Sequence, residues 1–248
     1  MGRVAARALA LGAALLASGC TLLQPAPAPV VEAAPPAPPP LPVPTATHRF
    51  VVDPATDVVG QVQRVVVGKE DTLPDIARRF NVGYEEIVRA NPGVDPWLPG
   101  EGREVVVPTQ FVLPDAPRVG VVVNVAAMRL FYYPKPKQKG DPQEVVTHPI
   151  GIGKVGWQTP EGVTKIVSRT KDPTWTPPVS VRREHLKNGE KLPARVPPGP
   201  DNPLGAHMFR LGWPSYLVHG TNKPYGVGMR SSHGCVRLYP EDIEQLFE

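Results

Sequence analysis

Apolar positions between residues 64 and 108 recur with two different periods. Arg64 to Val67 and Glu104 to Pro108 are short β-branched runs typical of strands. Between them, apolar residues recur every three or four positions from Leu73 to Phe80 and again from Tyr84 to Val88. This spacing is that of a helix with one buried face. The pattern therefore predicts a small α+β module with the order strand, helix, helix, strand.

After Pro108 the pattern changes to short strands joined by turns and polar loops. Strands are predicted at residues 120–125, 128–133, 145–151, 162–167 and 216–219. A final helix with one apolar side is predicted from Pro240. Residues 171–203 are rich in proline and almost free of apolar periodicity, which predicts a long functional or mobile loop. This part of the chain is therefore expected to be a mainly β domain.

The first residues have the pattern of a bacterial export signal. Arg3 and Arg7 precede a short apolar run, and small residues precede Cys20. The apolar run, residues 8–17, is too short to cross a bilayer, which takes about 20 residues. The position of the cysteine predicts a lipobox, in which residues 1–19 are removed and Cys20 is acylated. The alternative is an ordinary cleavage site with an incidental cysteine.

Residues 25–44 form a Pro/Ala/Val segment whose only charged residue is Glu32. Such a segment can neither bury a core nor form a helix, so an extended polyproline-like spacer of roughly 60 Å is expected. We expect residues 20–47 to tether a lipid anchor to the folded domains; a featureless leader is the alternative. Thr21 after Cys20 favours the outer over the inner membrane in an enterobacterial-type sorting scheme. The predicted location is therefore the periplasm.

The charge balance argues against nucleic acid as a partner. The whole chain carries a formal charge of +4, which falls to +2 when Arg3 and Arg7 leave with the signal. Nucleic-acid-binding proteins concentrate Lys and Arg on one face, and so mild an excess does not indicate such a face. A slightly basic surface suits an anionic wall polymer.

Cys235 is the only cysteine after Cys20, so in an exported protein it has no intramolecular disulfide partner. A thiol with an ordinary pKa needs a base to act as a nucleophile at neutral pH, and His219 and His233 are both candidates. Backbone amides near Gly234 are placed to stabilise an oxyanion. The sequence therefore predicts a cysteine enzyme that forms a thioester.

Two alternatives compete with a catalytic thiol. A lone Cys235 is often just a small buried apolar residue. Zinc binding by His219, His233 and Cys235 would need a His-x-Cys spacing that is unusual in structural zinc sites. A nucleophile needs neither metal nor cofactor, and Arg237, two residues after the thiol, is placed to hold a substrate carboxylate. We therefore favour an enzyme without metal or cofactor.

The module at residues 60–109 resembles the LysM family, which binds the N-acetylglucosamine-containing glycans of peptidoglycan and chitin. The matching positions are Gly68, Asp71-Thr72-Leu73, Ile76-Ala77, Phe80, Asn91-Pro92, Pro99-Gly100 and Val105 to Pro108. Arg64 and Val65 stand where such modules often have an aromatic residue. The resemblance implies the βααβ fold, with either glycan binding or a degenerate spacer as its role.

A second resemblance, to the YkuD-type L,D-transpeptidase catalytic family, covers residues 117–248. Its signature is carried by His219-Gly220-Thr221-Asn222, Gly228 and Ser232-His233-Gly234-Cys235-Val236-Arg237-Leu238. The stretch is especially similar to the ErfK-like periplasmic enzymes. It implies a mainly β catalytic domain, a sandwich or barrel, with Cys235 as nucleophile, His219 as base and the Gly220 carbonyl orienting the imidazole. The substrate-binding residues that it implies are Arg237, Ser232, His233, Gly234 and Asn222.

The resemblance also implies a reaction. Cys235 would attack the meso-diaminopimelate carbonyl of a tetrapeptide stem, release D-alanine, and pass the acyl group to an amine. The acceptor would be a second stem or the terminal lysine of an outer-membrane lipoprotein, and carbapenems would acylate the thiol. Water as acceptor would give a carboxypeptidase or hydrolase, and a non-catalytic wall-binding lipoprotein is the remaining alternative. The family usually has a strand after the helix that starts near Pro240, which this chain is expected to lack.

Overall fold

The computed structural model describes residues 45–248, which form one compact unit of β-strands and short helices. The strands are β1 (His48–Val52), β2 (Val58–Gly60), β3 (Gln63–Val66), β4 (Glu104–Val107), β5 (Gln110–Val112), β6 (Gly120–Asn124), β7 (Arg129–Tyr133), β8 (Gln143–Pro149), β9 (Ile152–Gly153), β10 (Ile166–Lys171), β11 (His207–Leu211), β12 (Leu217–His219), β13 (Arg230–Ser232) and β14 (Val236–Arg237). The helices are α1 (Leu73–Arg79), α2 (Tyr84–Ala90), α3 (Val179–Lys187) and α4 (Pro240–Phe247). A 3₁₀ turn covers Pro224–Gly226.

The predicted strand, helix, helix, strand module is present. β3 and β4 pair antiparallel, and α1 and α2 lie between them in the chain. Thr72 caps α1: its hydroxyl accepts from the Asp75 amide, and the Asp75 carboxylate accepts from the Thr72 amide, at 3.2 and 3.1 Å. The apolar positions that predicted the helices, Leu73, Ile76 and Ile87 among them, are fully buried.

The first sheet contains a strand from before the module. Its order is β1-β8-β7-β6, with β1 antiparallel to β8 from the pair His48 and Thr147 to the pair Val52 and Gln143. One apolar core joins this sheet to the module, because Phe131 and Val145 of the sheet belong to the same buried cluster as the module's residues. The two parts therefore share a core.

The second sheet positions the reactive residues. Its order is β10-β11-β12-β14, and β12 and β14 run parallel, with Val218 opposite Val236 and His219 opposite Arg237. A second core lies under this sheet and α4, with Phe209 and Ile243 buried in it. Two adjacent parallel strand segments, fixed by buried apolar residues, thus bring the end of β12 beside the start of β14.

Several elements differ from the sequence prediction, and the strands that were not predicted are β1, β2, β5, β9, β11, β13 and β14. The strand predicted at residues 162–167 lies at Ile166–Lys171 instead. Nearly all of its residues are exposed, so apolar and polar residues do not alternate along it as they do in a half-buried strand. The loop predicted at residues 171–203 contains α3, which buries only Val181. Because α3 has one buried residue, its sequence carries almost no helical periodicity.

Within residues 45–248 no helix is both long and apolar enough to cross a membrane. The predicted signal, Cys20 and the proline-rich tether lie outside the described residues, apart from the last positions of the 20–47 segment.

Candidate active site

His219 and Cys235 are brought together by the parallel pairing of β12 and β14. His219 is the last residue of β12, and Cys235 directly precedes β14. Because Val218 lies opposite Val236, Cys235 lies beside Leu217 of β12, at the usual distance between adjacent strands. His219 and Cys235, sixteen positions apart in the sequence, are therefore carried by adjacent strands, two positions out of register.

His219 is a buried, neutral imidazole with one defined tautomer. His219 is 4% exposed, and its Nδ1 lies 2.6 Å from the carbonyl oxygen of Gly220. Because a carbonyl can only accept, Nδ1 carries the proton and Nε2 is left as the basic nitrogen. Burial, and secondly the positive charge of Arg237, lower the pKa of His219 to about 3.

The Cys235 thiol is also neutral at rest. Burial raises the pKa of Cys235, while the Leu217 amide and the Arg237 charge act in the opposite direction more weakly. The sulfur lies 3.8 Å from the Ser215 carbonyl oxygen. A thiol that is neutral at rest must give up its proton to a base if it is to attack a substrate.

The turn before Cys235 is fixed by hydrogen bonds and by a required glycine. The Ser232 hydroxyl donates to the Cys235 carbonyl at 2.6 Å and accepts from the Gly234 amide at 3.1 Å. Gly234 has a φ of +102°, and a Cβ there would lie 2.8 Å from the Tyr216 ring. The Gly234 amide, which the sequence predicted as an oxyanion donor, thus donates to the Ser232 hydroxyl instead. Thr159 completes the turn by donating to the Gly234 carbonyl at 3.0 Å.

Arg237 is a cation without an acidic partner among the described residues. Its Nη1 lies 3.4 Å from the Ser231 hydroxyl, and its Nε is buried with no hydrogen-bond partner in residues 45–248. Burial lowers the pKa of Arg237. A partly buried guanidinium with unused donors favours a bound anion.

His233 belongs to a polar cluster that sequence reasoning missed. Its Nε2 lies 2.5 Å from Glu184 on α3, and the second carboxylate oxygen of Glu184 accepts from Lys154 at 2.7 Å. The edge of Trp157 packs against the His233 ring at a centroid distance of 4.8 Å. Glu184 lies in the segment predicted as a loop, so no sequence signal placed it here. The contact of His233 is with α3 rather than with His219.

Asn222 is half-buried in the loop after β12, three residues beyond His219. The preceding residue, Thr221, accepts from the Lys223 amide at 2.9 Å and so shapes this loop. In residues 45–248 no three His, Cys, Asp or Glu side chains are grouped as a metal site would need.

A buried neutral histidine that contacts a backbone carbonyl, on the strand adjacent to the one that a thiol precedes, is compatible with a thiol acyltransferase. Comparison with known families agrees with this class. The family model of the L,D-transpeptidase catalytic domain, YkuD, matches residues 118–248, and the LysM domain model matches residues 65–108. The chain therefore belongs to the YkuD L,D-transpeptidase family and carries a LysM domain before its catalytic domain.

Curated relatives have the same assignment in their names. The probable L,D-transpeptidase YcfS of Escherichia coli is 46% identical over 187 residues, which cover 74% of this chain and 57% of that protein. The probable L,D-transpeptidase ErfK/SrfK of the same organism is 45% identical over 194 residues, 77% of this chain and 61% of that protein. The chain thus spans about three fifths of the length of these relatives.

Among solved structures, L,D-transpeptidase 3 from Mycobacterium tuberculosis is 17% identical, with a TM-score of 0.35 over 57% of this chain and 60% of that one. A similarity of this strength adds nothing to the family assignment.

Proposed function

We propose that the protein is a cysteine-dependent L,D-transpeptidase of peptidoglycan, with Cys235 as nucleophile and His219 as general base. The observation that carries the proposal is the 2.6 Å contact between His219 Nδ1 and the Gly220 carbonyl. It fixes the tautomer in which Nε2 can take the thiol proton. The parallel register of β12 and β14 also supports it, because His219 ends one strand and Cys235, the free thiol of residues 45–248, precedes the adjacent strand.

The reaction has two halves. The Cys235 sulfur bonds to the diaminopimelate carbonyl carbon as the thiol proton passes to His219. The carbon–nitrogen bond to D-alanine then breaks, and the histidine returns that proton to the leaving amine. In the second half an acceptor amine attacks the thioester, a new amide bond forms, and the sulfur leaves and recovers a proton. The chemistry balances without metal or cofactor.

Arg237 binds a carboxylate of the stem peptide in this proposal. Its unused donors next to the thiol support this role, since a diaminopimelate stem offers carboxylates close to the reacting carbonyl. Ser232 and Gly234 act by holding the turn that presents Cys235. His233 and Asn222 line the approach, His233 through its contact with α3.

The location and partners of the enzyme form part of the proposal. The export signal, acylation of Cys20 and the tether would place the enzyme in the periplasm, anchored to the outer membrane. Its LysM domain would hold glycan strands and so raise the local concentration of stem peptides. The acceptor is the amine of a second stem or of an outer-membrane lipoprotein with a C-terminal lysine.

Intact-protein mass spectrometry tests the proposal. The purified protein and its Cys235→Ala variant are incubated with a disaccharide-tetrapeptide and, separately, with a carbapenem. We expect a covalent adduct on the wild type only, with release of D-alanine from the peptide. No adduct on folded wild-type protein with either reagent would refute the enzyme hypothesis. Cys235→Ser serves as a second, nearly isosteric variant and is expected to form no stable adduct.

A further inference from the structure

Helix α4 of the catalytic domain is held at its first turn by two side chains of the LysM domain. Arg78 of α1 donates to both carboxylate oxygens of Glu241, at 2.8 and 2.9 Å. A two-point contact of this kind restricts the orientation of both side chains. Asn81, two residues after α1, donates to Asp242 at 2.8 Å. The first turn of α4 is therefore placed by the LysM domain.

The contact between Asn81 and Asp242 is buried. The two residues are 2% and 3% exposed, and Nδ1 of the buried His148 lies 3.0 Å from the same oxygen of Asp242. A buried carboxylate that loses a hydrogen-bond donor is left with an unmet desolvation cost, which a shift of its backbone can relieve. The position of Asp242, and with it the first turn of α4, therefore depends on Asn81.

The residue after Asp242 continues this contact to the histidine of the active site. Ile243 is 1% exposed, and a Cβ on Gly220 would lie 3.1 Å from its Cγ2 and 3.4 Å from the Leu204 carbonyl oxygen. Gly220 is thus packed closely between α4 and the segment before β11. Its carbonyl is the group that lies 2.6 Å from Nδ1 of His219. A shift of α4 would therefore move the acceptor that orients the imidazole.

The backbone of His219 is attached to the same part of the chain. The Leu238 amide donates to the His219 carbonyl at 2.9 Å, and Leu238 is fully buried two residues before α4 begins. Tyr239, between them, donates from its hydroxyl to the Val82 carbonyl of the LysM domain at 3.1 Å. Both the peptide group of His219 and the carbonyl that orients its ring are therefore fixed relative to α4 and the LysM domain.

We propose that the LysM domain positions the catalytic base through α4, with Asn81 and Asp242 as positioning residues. The contacts run from Asn81 to Asp242, from the adjacent Ile243 to Gly220, and from the Gly220 carbonyl to the imidazole. The inference rests on the proposed function, because it concerns the orientation of the general base. Asn81 and Asp242 are buried and cannot touch the substrate, so their effect falls on kcat rather than on KM.

Release of D-alanine from a disaccharide-tetrapeptide by the full chain tests the positioning role. We expect Asn81→Ala and Asp242→Ala each to lower kcat about tenfold, because a small misplacement of a catalytic group is costly, with KM within about twofold of the wild type. The double variant should lose no more than either single one, since both act through one contact. Asp242→Asn keeps an oxygen that accepts from Asn81 and should restore kcat to within about threefold of the wild type.

Glu86→Gln is the matched control. Glu86 also joins the LysM domain to the catalytic domain, but through Arg129 of β7 at 3.0 Å rather than through α4. Its kcat should stay within about twofold of the wild type. Urea unfolding verifies that every variant is folded at the assay temperature, and Asn81→Ala is sufficient for the test if Asp242→Ala fails to fold.

Nuclear magnetic resonance of isotope-labelled histidine gives a readout that does not depend on activity. The proton on Nδ1 of His219, identified by its absence in His219→Gln, should resonate downfield in the wild type and in Glu86→Gln, and should shift or broaden in Asn81→Ala. An unchanged resonance, a kcat equal to that of the wild type, or equal losses in Asn81→Ala and Glu86→Gln would overturn the positioning role. A folded wild type that neither releases D-alanine nor reacts with a carbapenem would refute the proposed function, and the resonance would still test the role of α4.

Discussion

At the scale of single residues, the thiol and the histidine are both uncharged at neutral pH. The pKa of His219 is lowered to about 3, first by burial and then by Arg237, and burial raises the pKa of Cys235. This differs from thiol enzymes that rest as a thiolate–imidazolium pair. In the proposed reaction the thiol would therefore lose its proton in step with attack on the substrate.

The reactivity of Cys235 towards a small neutral reagent should follow the thiolate fraction. Because its pKa is raised above the usual 9.0, we expect the iodoacetamide alkylation rate to rise continuously from pH 6 to 10. N-acetylcysteine, measured in parallel, should react faster at every pH up to its own pKa. A plateau between pH 5 and 8 would instead show a thiolate–imidazolium pair at rest.

Two buried histidines make the fold sensitive to acid. The pKa values of His219 and His48 are lowered to about 3 and about 4, in both cases chiefly by burial, against 6.5 in the unfolded chain. The unfolded chain therefore binds more protons below pH 6.5, so their contribution to stability is full above that pH and is lost as the pH falls towards 4. Each histidine removes at most about 1.4 kcal/mol per pH unit in this window.

Urea unfolding at pH 7.5, 5.5 and 4.5 measures this loss. His219→Gln removes one titrating group, so its free energy of unfolding should decline less steeply between pH 6.5 and 4.5 than that of the wild type. A free energy of unfolding that falls equally with pH in both proteins would contradict the assignment of a neutral buried imidazole at position 219.

At the scale of elements, α3 is tied to the reactive turn by one carboxylate. Glu184 accepts from Lys154 at 2.7 Å and contacts His233 at 2.5 Å, and His233 lies two residues before Cys235. The Lys154 amide donates to the Ser232 carbonyl at 2.9 Å, so both partners of Glu184 belong to the framework of the turn. α3 is therefore held against the reactive turn by this carboxylate.

Glu184→Gln should loosen α3 without changing the thiol chemistry. We expect a roughly three- to tenfold rise in KM for the peptide donor, with kcat changed less, because an ion pair that is partly exposed contributes modestly. Glu190→Gln, which removes the partner of His185 just after the same helix, is the matched control and should leave both parameters unchanged. A fall in kcat alone would assign Glu184 to the chemical step.

Sequence patterns predicted those elements in which buried apolar residues recur at the spacing of a helix or a strand. Thr72 and the apolar stripe of α1 determine that helix locally. The family signature predicted that His219 and Cys235 belong to one site. β1 was missed because its pairing is with residues far along the chain, and α3 because it buries a single side chain. The contacts of Arg237 and Glu184 depend on such long-range packing, which no local pattern encodes.

At the scale of the whole molecule, the LysM and catalytic domains are joined by buried polar contacts. Arg129 of β7 is 2% exposed and bonds Glu86 of α2 at 3.0 Å and the Asn81 carbonyl at 3.1 Å. Asn81 also donates to Asp242 of α4 at 2.8 Å. Together with the shared apolar core, these contacts make the two domains one cooperative unit.

Removal of the buried guanidinium of Arg129 should lower the stability of the fold. We expect Arg129→Ala to lower the free energy of unfolding by about 3 kcal/mol, because it leaves Glu86 partly buried without its cation. Arg64→Ala breaks the exposed pair with Glu104 and should cost no more than about 1 kcal/mol. Urea unfolding followed by circular dichroism and tryptophan fluorescence compares them. Two separate wild-type transitions would contradict a single cooperative unit.

The position of β1 has a consequence for the order in which the chain folds. β3, both helices and β4 lie within residues 63–107, so the LysM domain closes through local contacts. β1 pairs His48 with Thr147, about a hundred residues later, and cannot be placed until β8 has been made. During synthesis from the N-terminus, the strands and helices of the LysM domain are therefore complete before β8 is made, while β1 remains an unpaired edge. Chaperones would have to protect that strand until the catalytic sheet is complete.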